Sequence, residues 1–194
     1  IKLTCVKPSG TLSLLGNTTS GIHPAYSQYY IRRIRFASSS PLVKLAKKNG
    51  YHTEYARNFD GTLKRDTVIV EFPCKVPDGT LLAKDCTAVK QLEIVKRVQK
   101  DFADNAVSNT VYYRKEELPE IKEWLKTNYN TGVKSTSFLL HSDHGFDQAP
   151  LEEIDAKKYE EMVANITVLK SIPDSIYAKY DVNDNEEVND TSCI

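Results

Sequence analysis

Val6-Lys7-Pro8-Ser9-Gly10-Thr11-Leu12-Ser13-Leu14-Leu15 is the stretch that decides how this chain is read. Residues 1–6 read as a short, half-buried strand. Pro8 and Gly10 break it, Leu12 to Leu15 starts a short helix, and Gly16-Asn17 stops that helix. Where a strand runs through a Gly-containing turn into a helix, unpaired backbone N–H groups face outward, which suits a phosphate. Gly10 lets the backbone approach an anion, and Ser9, Thr11 and Ser13 add hydroxyl donors. The P-loop spacing and its Gly-Lys-Ser/Thr ending are absent. Ser and Thr equally favour an ordinary capped helix start, so the residues alone leave both readings open.

Outward from that stretch, strands and helices interleave, which indicates an α/β fold. Residues 17–27 read as an ordered loop punctuated by Gly21 and Pro24. Tyr29 to Phe36 mixes its apolar parities and does not choose between strand and helix. Ser40-Pro41 opens a helix that Asn49-Gly50 ends. Thr67 to Phe72 is a strand. Thr87 to about Ala103 is a helix, because Val89, Leu92, Val95, Val98 and Phe102 recur at three- and four-residue steps. Strands are expected over 109–113 and 135–140, and helices over 116–128 and 155 to about 170. Residues 181–192 are acidic, Asn-rich and poor in apolar side chains, the composition of a mobile tail. The expected organisation is one domain over 1–180 and a mobile acidic tail over 181–194.

The chain has 194 residues, enough for a sizeable core, with 26 Lys and Arg balanced by 26 Asp and Glu. That balance gives no global attraction to nucleic acid or an anionic membrane, so neither is expected as a partner. No long apolar run suggests a membrane span. The four cysteines, Cys5, Cys74, Cys86 and Cys193, form no CxxC pair and no zinc spacing. Scattered thiols fit a reducing cytoplasm. The chain opens on Ile1 inside a strand-like run, which reads as a fragment, a processed product or a trimmed chain.

Several strings occur in order: Val6 to Leu15 as quoted, Ser20-Gly21-Ile22-His23-Pro24-Ala25-Tyr26-Ser27, Tyr29-Tyr30-Ile31-Arg32-Arg33, Asp104-Asn105-Ala106-Val107-Ser108-Asn109-Thr110-Val111-Tyr112-Tyr113, and His144-Gly145-Phe146-Asp147-Gln148-Ala149-Pro150. Together, from residue 1 to about 165, they resemble the late barrel region of adenosylcobalamin-dependent (class II) ribonucleotide reductases. The resemblance implies the C-terminal portion of a ten-stranded α/β barrel, incomplete in this chain. It implies an enzyme family that replaces the ribose 2′-hydroxyl with hydrogen, starting from a cysteine thiyl radical that adenosylcobalamin generates. It implies a ribonucleotide substrate, a thioredoxin-like reductant, and the remaining N-terminal part of the reductase as partners. In the family the Pro-Ser-Gly-Thr loop binds the substrate phosphates, which maps onto Ser9, Gly10, Thr11 and Ser13.

The family's radical loop carries an Asn-x-Cys-x-Glu string, and this sequence has none. The resemblance therefore expects the thiyl cysteine and its neighbours upstream of Ile1, and an isolated chain without reductase activity. Cys193 is expected as one member of the tail's shuttle pair. Cys5 reads as a small core residue, and Cys74 and Cys86 carry no assigned role. Tyr112 and Tyr113 are expected as barrel packing or cofactor-face residues and His23 as a loop anchor, while Arg32, Arg33 and Arg35 could face phosphate but read more readily as an ion-paired or solvated face. His141 and His144 are three apart near Asp143, but no third ligand stands at a sensible spacing, so no metal site is expected. Two other functions fit the residues: a non-catalytic phosphate- or nucleotide-binding module, and the barrel-completing half of a split protein.

Overall fold

The computed structural model describes residues 2–10, 12–16, 18–141, 147–169 and 171–177. Thr11, Cys193 and the acidic tail lie outside them, as does the segment 142–146 that holds Asp143 and His144. The described elements are α1 (Leu12–Leu15), β1 (Tyr29–Ala37), α2 (Pro41–Lys48), β2 (Thr53–Arg57), β3 (Leu63–Lys75), α3 (Ala88–Asp101), β4 (Thr110–Tyr113), α4 (Leu118–Asn128), β5 (Ser137–Leu140), β6 (Leu151–Glu153), α5 (Ala156–Ala164) and α6 (Asp174–Tyr177). Four strands form a sheet in the order β2-β3-β1-β6, and β4 and β5 form a second, parallel pair. The chain divides into two compact units: Ile1–Arg32 with Pro73–Tyr159, and Arg33–Phe72 with Glu160–Ile194.

The first unit is built on the parallel pair, in register from Thr110↔Ser137 to Tyr113↔Leu140. Parallel strands need an intervening crossover, and α4 supplies it. Helix α3 forms because Thr87 caps it, its hydroxyl accepting from Lys90 N, and because one face carries Ala88, Leu92 and Val95 at helical spacing. Ala88 and Leu92 pack with Val111 of β4 and with Ile121 and Trp124 of α4 into one buried cluster, and Val95 packs with Ala103 and Val107 into another. Two buried glutamines on the same face pair with backbone, Gln91 with β4 and Gln99 with the loop before it. Gln91 accepts from Tyr112 N (3.0 Å) and donates to Tyr112 O (2.9 Å). Gln99 donates to Ala103 O (2.7 Å) and Asn105 O (2.6 Å) and accepts from Val107 N (3.2 Å). A buried backbone polar group left unpaired is costly, and these carboxamides stand in for a neighbouring strand.

The expected strand over 1–6 is reduced to a single parallel bridge, Val6↔Val107. Thr4 O accepts from Asn105 N and Val6 O from Ser108 N, so alternate residues are fastened and the rest face outward. Cys5, expected in the core, is exposed for this reason. Tyr29 to Ala37 is a strand, and β6 pairs with it antiparallel from Tyr30↔Glu153 to Arg32↔Leu151. Tyr113 packs against the α3–α4 cluster and meets Phe138 edge-on, as expected of barrel packing.

In the second unit β2 and β3 form an antiparallel hairpin, with a register shift between Tyr55 and Ala56. Its connection holds Gly61 at φ +80, while Asp60 accepts from the Thr62 amide and hydroxyl. Val68, Ile69 and Val70 are all buried, which makes this stretch of β3 covered on both faces. Helix α2 starts where expected: Ser40 accepts from Leu42 N and Pro41 occupies the first turn. Arg33 and Glu71 are paired at 2.8 Å with both side chains largely buried, and His52 Nδ1 lies 3.2 Å from the same carboxylate. Arg33 therefore belongs to an ion pair, one of the two readings its sequence allowed.

Candidate functional site: a serine-glycine turn held by a histidine

The turn at residues 8–13 is compact. Gly10 N donates to Pro8 O (2.9 Å) and Ser13 N to Ser9 O (3.1 Å), and Ser13 O accepts both the amide and the hydroxyl of Thr18. Helix α1 is a single turn of four residues, so the aligned dipoles that make a long helix terminus attractive to anions add little here. What remains are neutral donors around an open glycine. Gly10 is exposed, and among the described residues a β-carbon there would meet only Ser20 Oγ, at 3.9 Å. Ser9 and Ser13 are half-buried on the same turn. The structure thus brings Ser9, Gly10 and Ser13 together, with Thr11 outside the described residues.

A second turn, Ser20-Gly21, lies against the first. Gly21 has φ +57, and a β-carbon on it would come within 2.9 Å of Lys7 O and 3.4 Å of Pro8 Cα. Only glycine permits both that conformation and that approach. His23 fastens this turn: Nδ1 is 2.7 Å from Ser20 O, and Nε2 accepts from Thr110 N at 3.0 Å. His23 is therefore a loop anchor, as expected. The chain continues into an isolated parallel bridge, Ala25↔Leu82. Reading the sequence singled out neither Ser20 nor the role of Gly21. The Ser-Gly dipeptide before His23-Pro24 marks a turn, but its contact with Lys7 is tertiary.

Other candidates are placed as follows. Cys74 is half-buried beside the Tyr30 ring, and burial pushes its thiol up. Burial, with the Cys74 thiol next to it, pushes the Tyr30 phenol up to about 12. Cys86 is buried, and burial raises its thiol too. Among the described residues no three His, Cys, Asp or Glu side chains are gathered as a metal site requires, and no helix is long and apolar enough to cross a membrane.

The model of the ribonucleotide reductase barrel domain matches residues 2–139, a span that contains both turns. The chain belongs to the ribonucleotide reductase barrel family. A probable adenosylcobalamin-dependent ribonucleoside-triphosphate reductase of Dictyostelium discoideum is 39% identical over 170 residues, covering 86% of this chain and 22% of that protein. The adenosylcobalamin-dependent ribonucleoside-triphosphate reductase of Lactobacillus acidophilus is 38% identical over 174 residues, with the same two coverages. A crystal structure of a B12-dependent class II ribonucleotide reductase superposes with a TM-score of 0.74 at 32% identity, over 91% of this chain and 24% of that one. The chain thus spans about a fifth to a quarter of the length of these relatives, and its fold is part of a reductase-type barrel.

Proposed function

We propose that this chain supplies the substrate-phosphate loop of an adenosylcobalamin-dependent ribonucleoside-triphosphate reductase, which replaces the ribose 2′-hydroxyl with hydrogen. One observation carries the reading: inside the family match, the turn holding Ser9 and Ser13 leaves Gly10 exposed, and among the described residues a β-carbon there would meet only Ser20 Oγ, at 3.9 Å. Ser9, Thr11 and Ser13 are the hydroxyl donors to the phosphates. They are neutral, so they hold an anion without a buried ion pair and release it readily. The loop binds and orients. It does no bond chemistry.

The family's Asn-x-Cys-x-Glu string does not occur in these 194 residues, so the radical cysteine is placed outside them. Cys193 is proposed as one half of a shuttle pair that exchanges thiol for disulfide with a thioredoxin-like reductant in the cytoplasm. Two surface clefts among the described residues are each smaller than adenosylcobalamin. One cleft of about 350 Å³ is lined by Tyr129, Gly132 and Lys134, and one of about 360 Å³ by Arg114, Lys115 and His141. The cofactor does not fit within them, and no step is assigned to this chain through it.

The test is substrate affinity in the complete reductase. Gly10→Val should weaken nucleoside triphosphate binding by steric bulk. Ser9→Ala should cost roughly 0.5–1.5 kcal/mol of binding by removing one hydroxyl. Unchanged affinity in Gly10→Val would reduce the turn to a helix cap. Deoxynucleotide product from the isolated chain would contradict the assignment of the radical cysteine elsewhere.

A further inference from the structure

We infer that His23 is the positioning residue of the phosphate loop: it locks the Ser20-Gly21 turn against residues 7–10, so that the Ser20 hydroxyl forms a second wall beside Gly10 and donates to the same phosphate. The inference rests on the phosphate reading of Ser9 to Ser13.

The Thr110 amide can only donate, and it points at His23 Nε2 at 3.0 Å. Nε2 therefore carries the lone pair. In the neutral ring the proton must then sit on Nδ1, which donates to Ser20 O at 2.7 Å. The same carbonyl also accepts the His23 backbone amide, at 3.0 Å. The imidazole thus ties Ser20 to the first residue of β4, a rigid strand at the base of the α3–α4 cluster. From Ser20 the restraint passes to Gly21, which lies so close to Lys7 and Pro8 that a β-carbon on it would come within 2.9 Å of Lys7 O. It ends at Ser20 Oγ, which among the described residues would lie 3.9 Å from a β-carbon on Gly10. His23 reaches no anion itself. It fixes the height of one turn over the other, and that height sets whether one phosphate can touch both.

The experiment titrates inorganic tripolyphosphate into the 194-residue chain and reads affinity by nuclear magnetic resonance, well below each variant's melting temperature. At such temperatures a loss of stability alone leaves affinity unchanged. Ser20→Ala and His23→Phe should each weaken binding by about three- to tenfold, the range of one hydrogen bond. His23→Gln should recover most of the loss, because a carboxamide offers one donor and one acceptor. Ring-nitrogen shifts should report the Nδ1–H tautomer in the wild type. No binding by the wild-type chain, or a Gly10→Val variant that binds as well as wild type, would overturn the phosphate reading itself. If Gly10→Val abolishes binding while His23→Phe or Ser20→Ala keeps wild-type affinity, the positioning role is wrong. A wild-type ring protonated on Nε2 overturns it as well. If His23→Phe does not fold, Ser20→Ala and the tautomer still decide.

Discussion

Adding one methyl group at each of two glycines separates packing from binding in this site. Alanine at position 21 must adopt φ +57, a left-handed conformation that costs an L-residue about 1–2 kcal/mol. Its β-carbon would also sit 2.9 Å from Lys7 O, and a relaxed contact needs about 3.5 Å. The obstacle is backbone on both sides, so the Lys7-Pro8 segment must move by several tenths of an ångström, which adds on the order of 1 kcal/mol. Against this stands a gain of about 0.4–1 kcal/mol from the smaller entropy of the unfolded chain. The net expectation for Gly21→Ala is a loss of about 2 kcal/mol, or roughly 4–8 °C in Tm for a chain of this size. Alanine at position 10 meets neither penalty: its backbone is not left-handed and the nearest atom is 3.9 Å away. Gly10→Ala should leave Tm within about 1–2 °C of wild type, a surface substitution free of strain.

Binding should follow a different order. The methyl group of Gly10→Ala occupies the face offered to a phosphate, so tripolyphosphate affinity falls in a protein of unchanged stability. Gly21→Ala should lose both. Circular dichroism melts and phosphate titrations on the same samples measure the two effects. If Gly21→Ala melts with wild type, the close approach to Lys7 is not a constraint. If Gly10→Ala melts as low as Gly21→Ala, the contrast between an open and a packed glycine is wrong.

Gly50→Ala should be more damaging still, since a β-carbon there would lie 2.1 Å from Asn165 O at φ +83; an unchanged Tm would refute that packing. Gln91→Met removes both partners of the Tyr112 peptide and should cost about 2–4 kcal/mol, measured by urea unfolding. Raising the Tyr30 phenol from 10.0 to about 12 means that its contribution to stability is complete below pH 10.0 and is lost as pH rises toward about 12. Tyr30→Phe should therefore lose less stability than wild type across that window in alkaline melts. Among the three cysteines of the described residues, thiol labelling near neutral pH should mark exposed Cys5 first, then Cys74, and last the buried Cys86; early labelling of Cys86 would contradict its burial.

Elements that carry their own signal were legible in the sequence. Helix α3 is capped by Thr87 and striped at helical spacing, and it lies within two residues of where that pattern ends. Helix α2 announces itself through Ser40-Pro41 and Asn49. Strand β2 did not: Thr53-Glu54-Tyr55-Ala56-Arg57 has no clean alternation, and its only strong cue is the Asp60-Gly61 turn that joins it to β3. Strand β6 has three residues, and its pairing with Tyr30 to Arg32 defines it. The misplacement of Cys5 has the same origin. Residues 2–6 look like a strand, but the bonds they make alternate between helix end and loop 100 residues away, and none of that is encoded locally.

The site divides along the same line. Ser9, Gly10 and Ser13 are neighbours in sequence, and that they share one turn could be read from their order. Their placement depends on His23 and on Thr110, 87 residues further on. A histidine between Ile22 and Pro24 says only that a ring is present. Which nitrogen holds the proton follows from the amide it faces, and that amide is set by the register of β4 beside α3. Gln91 binds the backbone within β4, and Gln99 binds the loop before it. A change in either glutamine should therefore reach the phosphate turn through Thr110 and His23, although neither glutamine is near Gly10 in sequence. That route gives the buried carboxamides of α3 a functional consequence beyond stability: they fix the strand whose first amide selects the tautomer of the histidine, and the histidine fixes the turn.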